Sequence, residues 1–418
     1  MEAPPADRRV NDARLRLVIA LSLAVILSQF FRTSAGVIAP ELTRDLSLSP
    51  AMLGFANACF FIALGVVQVP VGILFDRVGV RTTYLWLNGA AVAGALLHAA
   101  VETGTGLAVA RFLMGVGCGA SFMSVVMLCA RWFPPDRLAT AMSVIFAISQ
   151  VGILLAATPL AAATVAYGWR PVFVVTAVVT VAAGIVYALF VGDDPPGTPP
   201  RLPHAAEDAP FAGLMRVFRI PDIGYVLAIH TFAYASVATV IGLWAGPYLA
   251  DVHGLTPVER GNVILAMGVG QVVGQLAVGP MDRMLDTRKW IIVVLGAASL
   301  ATLAALALLE APPLWLAVSL LVLLALVSQY PVMIVAHARS LFPAAIAGRG
   351  VTTVNLAQVV GASSLPYATG VVVGAVSGHG GPHGELAYRM MFAAIATPLA
   401  VGLLLYLRAK DAKPSGGR

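Results

Sequence analysis

Charge is scarce in this sequence, and acidic charge is missing from its apolar stretches. Only 11% of its 418 residues are Asp, Glu, Lys or Arg, against about a quarter in soluble domains. All twenty Asp and Glu residues fall in loops, tails or at the ends of apolar runs. Proton-driven exporters of cations usually carry a carboxylate inside the membrane, so this pattern argues against that class. Cysteine is also rare. The three present, Cys59, Cys118 and Cys129, are an odd number set in apolar runs, which rules out a disulfide framework and reads as small core residues. No metal cluster and no nucleophile–base arrangement recurs in the loops, so neither an enzyme nor a metal or cofactor is expected. Strict apolar–polar alternation is absent too, which excludes a transmembrane β-barrel.

What the sequence has instead is long apolar runs. Hydrophobic residues make up 59% of the chain, in runs of about the 20 residues that span a bilayer as a helix. Polar breaks delimit twelve helices over roughly 15–39, 51–75, 82–101, 105–132, 138–165, 169–191, 221–250, 258–281, 289–309, 313–337, 347–376 and 386–408. The first run follows Arg8, Arg9, Arg14 and Arg16 as a signal peptide would. It is about twice as long as the apolar core of one and is followed by eleven more runs, so a retained first helix is expected. The fold class is an all-α integral membrane protein of twelve transmembrane helices.

The net charge of +6 does not mark a nucleic-acid binder, because its distribution follows the membrane. Of 26 Lys and Arg residues, twenty fall on the side that holds both termini and four on the other: Arg44, Arg170, Arg260 and Arg389. Arg32 and Arg111 lie inside helices. The excess of positive charge in cytoplasmic loops sets orientation, so both termini are expected in the cytoplasm, with the chain in a bacterial inner membrane. Residues 192–220, with DDPPGTPP and AAEDAP, have the composition of a linker. They divide the chain into residues 1–191 and 221–418.

These halves repeat. Pro40-Glu41-Leu42 recurs as Pro247-Tyr248-Leu249, 207 residues on; Asp76-Arg77 recurs as Asp282-Arg283, 206 on; Ala130-Arg131-Trp132-Phe133-Pro134 recurs as Ala338-Arg339-Ser340-Leu341-Phe342-Pro343, about 208 on. Three landmarks at one offset of half the chain indicate two pseudo-symmetric six-helix bundles.

The loop after the second helix reads Gly72-Ile-Leu-Phe-Asp76-Arg77-Val-Gly79-Val-Arg81. It resembles the signature loop of the major facilitator superfamily, G-x-L-x-D-R-x-G-x-R, at that family's position. Gly72 would let helices approach closely, Asp76 would sit against a helix N-terminus, and Arg77 and Arg81 would anchor the loop at the anionic membrane face. The resemblance implies a gating role for this loop. Its second copy keeps Asp282 and Arg283 but lacks the glycine. In helix four, Ala110-Arg111-Phe-Leu-Met-Gly115-Val-Gly117-Cys-Gly119 resembles the family's R-x-x-x-G-x-G motif. Its glycines make a groove for a packed neighbour, and Arg111 either holds helix backbone or takes part in coupling.

Arg32, with Pro40 eight residues on, is similar to the first-helix pattern of the organophosphate:phosphate antiporter and organic anion symporter branch, as is Pro331-Val-Met-Ile-Val-Ala-His337 in helix ten. That branch implies substrate phosphate or carboxylate on Arg32. A guanidinium in hydrocarbon costs at least ~2.5 kcal/mol, and an anionic ligand would offset it. The second arginine of the organophosphate exchangers is missing, since the offset of 207 from Arg32 lands on Thr239. This favours a monocarboxylate-like ligand over a sugar phosphate.

The expected function is secondary active transport of a small organic anion by alternating access, the two bundles rocking around a midplane site. The alternatives are an exporter of drugs or apolar metabolites, and a ligand-sensing receptor that does not transport. Protons or a counter-anion could drive it, and a monomer is expected. Candidate protonatable groups are His98, His230 and His337. The substrate-binding candidates are Arg32, Gln29, Asn57, Gln150, His230, Tyr234, Thr239, Tyr330, Asn355 and Gln358, with Ser149, Trp244, Gln329 and Tyr367 as further polar groups on helices that face the central cavity in that family.

Overall fold

In the computed structural model, residues 5–195, 217–218, 220–343, 347–377 and 384–412 are described, with side chains left out at 5–11, 135, 136, 139 and 347–349. Most of the linker, 196–216 and 219, lies outside these residues, as do Arg201, Arg216, Arg219, Lys413 and Arg418 of the charge count.

Every regular element among the described residues is helical. In chain order they are α1 (Pro5–Leu46), α2 (Pro50–Arg77), α3 (Val80–Ala100), α4 (Gly104–Cys118), α5 (Ser121–Trp132), α6 (Pro135–Ser149), α7 (Val151–Leu155), α8 (Thr158–Tyr167), α9 (Trp169–Phe190), α10 (Ile223–Thr239), a π-helical segment (Val240–Trp244), α11 (Ala245–Asp251), α12 (Pro257–Val278), α13 (Met281–Leu285), α14 (Lys289–Leu308), α15 (Leu314–Val327), α16 (Pro331–Leu341), α17 (Ala347–Ser377) and α18 (Glu385–Tyr406). Helix is the expected outcome, because in lipid each peptide group must find its partner within its own segment.

The count of twelve spans needs one correction. Among the described residues eleven helical stretches are long and apolar enough to cross a membrane, and α3 is not one of them. Its 21 residues make about 31 Å of helix, long enough for a bilayer core. Arg81, Asn88 and His98 reduce its apolarity. The polar groups at Asn88 and His98 are buried, with Asn88 donating to the Thr180 carbonyl of α9 at 3.2 Å. Protein, rather than lipid, surrounds that face.

The chain forms two compact units. One holds Met1–Ser34 and Cys59–Ala205, the other Ala35–Ala58 and Ala206–Arg418. The end of α1 and the start of α2 thus belong to the second unit, and small residues explain how they pack there. A Cβ on Gly36 would lie 2.5 Å from the Ile241 carbonyl oxygen and 2.6 Å from the Gly242 carbonyl carbon. One on Gly54 would overlap the Pro366 carbonyl, and one on Gly370 the Pro50 carbonyl. Backbone meets backbone at these crossings, as small residues permit in membranes. Glu41 on this segment receives the Arg260 guanidinium at 2.5 Å, with Arg260 only 3% exposed.

In the first unit, the carboxylate that serves the start of α3 is Asp193, which follows α9. It accepts the Arg81 N–H at 2.8 Å, while the Arg81 guanidinium donates to the Ala188 carbonyl at 2.5 Å. Gly79 has φ +91°, and a Cβ there would overlap the Asp193 carboxylate, so glycine is required on two counts. In the second unit Asp411, after α18, accepts from the Arg288 and Lys289 N–H groups at 3.2 and 3.0 Å and from the Thr287 hydroxyl at 2.6 Å. Lys289 Nζ donates to the Leu407 carbonyl at 2.7 Å. Each half therefore ties the first turn of its third helix to the end of its sixth.

Burial opposes ionisation of Asp411, but the bonds from Thr287, Lys289 and Arg288 outweigh it and hold the carboxyl below its usual range. Its stabilising effect is present above the unfolded value of about 3.9 and is lost as pH falls through the depressed folded value. Asp411→Asn should lower the thermal stability of the detergent-purified protein at neutral pH, by roughly 1–3 kcal/mol. The gap from wild type should close on acidification; a constant gap between pH 7 and 3 would contradict this role.

Candidate functional site

Arg32 and Gln29 lie three residues apart on α1, so they share a face. Opposite Gln29 the fifth span is broken: α6 ends at Ser149, Gln150 sits in a turn and α7 begins at Val151. At that break Gln29 Nε2 donates to Gln150 Oε1 at 3.0 Å. Gly152 permits the approach, because a Cβ there would overlap the Ile26 carbonyl and come 3.0 Å from Gln29 Cβ. Arg32 itself is half-buried, and its charge reaches Cys118 at the end of α4, which also contacts Ser28. Gln29 and Gln150 are thus joined within the first unit, and Arg32 lies one turn along α1 from Gln29.

Arg111 is placed differently. It is 1% exposed, its Nη1 donates to the Phe31 carbonyl at 2.6 Å, and its guanidinium lies 4.8 Å from the Phe60 ring centre. A main-chain acceptor and an aromatic face satisfy a buried cation well, which fits the backbone-holding alternative. The glycines that follow it are a packing groove as expected: Cβ atoms on Gly115 and Gly117 would overlap the Phe60 carbonyl and Ala91.

The signature loop departs from expectation at two positions. A Cβ on Gly72 would meet only Met123 Cε at 3.9 Å, an ordinary contact, so no close helix approach demands glycine there. Asp76 is exposed, and the adjacent helix N-terminus is served by Asp193 instead. Arg77 and Arg283 are exposed, while Asp282 pairs with Arg288 at 3.4 Å.

In the second unit, Gln358 of α17 lies beside the His230 ring of α10. Close packing brings these helices together, since a Cβ on Gly361 would overlap the Thr231 carbonyl. His98 is instead stacked on Phe173 at 3.9 Å between ring centres, and His337 bonds the Tyr406 hydroxyl through Nδ1 at 2.6 Å. Asn355 is half-buried, and Asn57 and Thr239 are buried at 2% and 1% exposure. Thr239 immediately precedes the π-helical segment, a distortion frequent at functional sites. Trp244 is fixed by its Nε1 donating to Thr369 Oγ1 at 2.8 Å.

Tyr330 does not join these groups. It is fully buried, with its hydroxyl 3.8 Å from the Cβ position of Gly296. Tyr234 and Gln329 line a cavity of about 140 Å³ together with Gln271 and Gln275 of α12. Those two glutamines are absent from the sequence-based candidates, although their i, i+4 spacing in an apolar helix is a readable signal.

A sequence profile described as the Major Facilitator Superfamily matches residues 21–256 and 226–418. The chain is 26% identical over 256 residues to a hexuronate transporter of Bacillus subtilis, spanning 60% of both chains. It is 23% identical over 324 residues, 70% of both, to a protein of Agrobacterium vitis assigned to tartrate transport. It is 28% identical over 309 residues, 69% of this chain and 68% of the other, to an MFS-type efflux pump of Mycolicibacterium smegmatis. In fold it is similar to a bacterial homologue of the human lysosomal transporter Spinster, with a TM-score of 0.76, 16% identity and 97% of each chain covered.

If Arg111 serves the fold, Arg111→Ala should destabilise the purified protein by about 3–5 kcal/mol, as for deletion of a large buried side chain that strands its partners. A melting temperature equal to wild type, with transport abolished, would assign it to coupling instead.

Proposed function

Because the chain belongs to the major facilitator superfamily, we propose that it is a secondary active transporter of a small organic anion bearing a single carboxylate. The observation that carries this reading is the position of Arg32. It is a half-buried cation inside a span, on the face of Gln29, which is bonded to Gln150. The span interiors hold two arginines and no Asp or Glu, so the field there is positive and favours anions. Relatives named for hexuronate and tartrate transport support an organic acid as cargo.

In this account residues 1–191 and 221–418 act as two bundles joined by the 192–220 linker, and rocking exposes the site to each side in turn. Arg32 takes the carboxylate. Gln29 and Gln150 orient it, and Asn57, His230, Tyr234, Thr239, Asn355 and Gln358 are further candidate polar groups. The loop from Gly72 to Arg81 gates the movement, together with Asp282 and Arg283. Both termini face the cytoplasm of a bacterium, as the distribution of Lys and Arg supports. Export of drugs or apolar metabolites is the second reading, favoured by the efflux-pump relative.

Counterflow of organic acids in proteoliposomes separates the two. Arg32→Ala should reduce the apparent affinity for the anion by about 10- to 150-fold, the worth of a hydrogen bond to a charged group, and Arg32→Lys should restore part of it. Transport indifferent to Arg32 would favour the exporter, and binding without counterflow a sensor.

A further inference from the structure

Arg260, on α12, is a buried cation whose bonding capacity is largely unused. It is 3% exposed, and its partner Glu41, on α1, is 13% exposed. One bond joins them, from Nη2 to Oε1 at 2.5 Å. Arg260 Nε and Nη1 and Glu41 Oε2 are buried and have no hydrogen-bond partner among the described residues. Arg389, in the same unit, shows fuller use of the same group. Its Nε donates to the Ala307 carbonyl, its Nη1 to Glu310 and its Nη2 to the Leu308 carbonyl, at 3.0, 2.9 and 3.2 Å. Attraction between buried charges offsets their loss of water only where the geometry is good and the remaining polar atoms are bonded. As a fastening, the Glu41–Arg260 pair is therefore poor. A guanidinium suits a carboxylate taken through two parallel bonds, and Glu41 supplies half of that.

The backbone holds the two partners differently. Arg260 is fixed: Thr256 caps α12 in a reciprocal bond with Glu259, and the Arg260 N–H donates to the Thr256 carbonyl at 3.0 Å. Glu41 follows Pro40, which lies inside α1. Proline has no N–H to give, so the Gly36 carbonyl lacks its helical donor. α11 covers that carbonyl instead, since a Cβ on Gly246 would overlap it. Helices bend at such positions, and the turn beyond this one is tied to α12 through the Glu41 side chain. The cation is thus set in a capped helix, and the carboxylate is carried past a hinge. Both stand in the second compact unit.

We propose that Arg260 is a carboxylate-binding site, occupied in this structure by the chain's own Glu41, and that a small carboxylate from solution exchanges with Glu41 there. The incoming group makes the two-bond fork that Glu41 does not, and Glu41 turns to water. The end of α1 is then no longer tied to α12. Exchange avoids the stranded buried cation that simple rupture of the pair would leave. The site does not involve Arg32, and it stands or falls apart from the anion-transport reading.

Hydrogen exchange of the detergent-purified protein, read on peptides over residues 35–58 with acetate or acetamide added, tests this. Acetamide has the size of acetate without the charge. Acetate should speed exchange in wild type by about tenfold, the worth of one charge-assisted hydrogen bond in the opening equilibrium, and acetamide should not. The response should persist in Arg32→Ala, vanish in Arg260→Gln and weaken in Arg260→Lys, which keeps the charge without the fork. Glu41→Ala deletes a group of the size of acetate, so that variant should melt below wild type and regain stability with acetate but not acetamide. An acetate response lost in Arg32→Ala overturns the Arg260 site and supports the anion reading. No response in wild type, or an equal one to acetamide, overturns the site and leaves the anion reading to its own counterflow experiment. Wild type and Arg32→Ala suffice to overturn the proposal, whether or not the variants at Arg260 and Glu41 fold.

Discussion

Hydrocarbon solvates neither a charge nor an unpaired peptide group, and the polar residues of this chain are arranged around that constraint. Arg111 meets it by burial against a main-chain carbonyl and an aromatic ring. Arg32 stays half-buried on the α1 face that carries Gln29. The two arginines cost alike on entering a membrane, yet Arg111 is 1% exposed and Arg32 is half-buried. The histidines divide similarly. His98 is enclosed in an aromatic stack and His337 is held by Tyr406, whereas His230 lies beside an amide.

The same constraint governs where helices break. The fifth span gives way at Gln150, the seventh passes into π-helix after Thr239 and the tenth turns at Ser328–Tyr330. Each break frees backbone groups that would be costly in lipid, and polar side chains sit at each. At the ends of the spans the two halves meet a shared need in one way: Asp193 and Asp411 serve the N-termini of α3 and α14, and Arg81 and Lys289 reach back to the last turns of α9 and α18.

Much of this is legible in the sequence because apolar length and the 206–208-residue repeat are direct marks of a duplicated membrane bundle. Gln29, Gln150 and Arg32 are each legible as candidates because ionisable and amide residues are few in the spans, but the Gln29–Gln150 pairing has no sequence signal. Other features depend on partners that no single segment reveals. The division of α1 and α2 between compact units follows from glycines meeting Ile241, Pro366 and Pro50, contacts without a local signature. Tyr330 is fully buried, while its neighbour Gln329 lines the cavity, a difference that the turn after α15 sets and no local signal gives. Gln271 and Gln275 stand on the eighth span, which is not among the cavity-facing helices that the family resemblance implies. The third span is less apolar than the others because its polar face is covered by protein, which composition does not register.

A thermal-shift panel of organic acid salts on the purified protein, run in parallel on wild type and Arg32→Ala, addresses the anion site most directly. A ligand stabilises the folded form by about 2.7 kcal/mol at a hundred times its dissociation constant. A subset of monocarboxylates should raise the melting temperature of wild type and leave the variant unmoved. Equal shifts in both proteins, or stabilisation by apolar and cationic compounds alone, would contradict an anion held by Arg32.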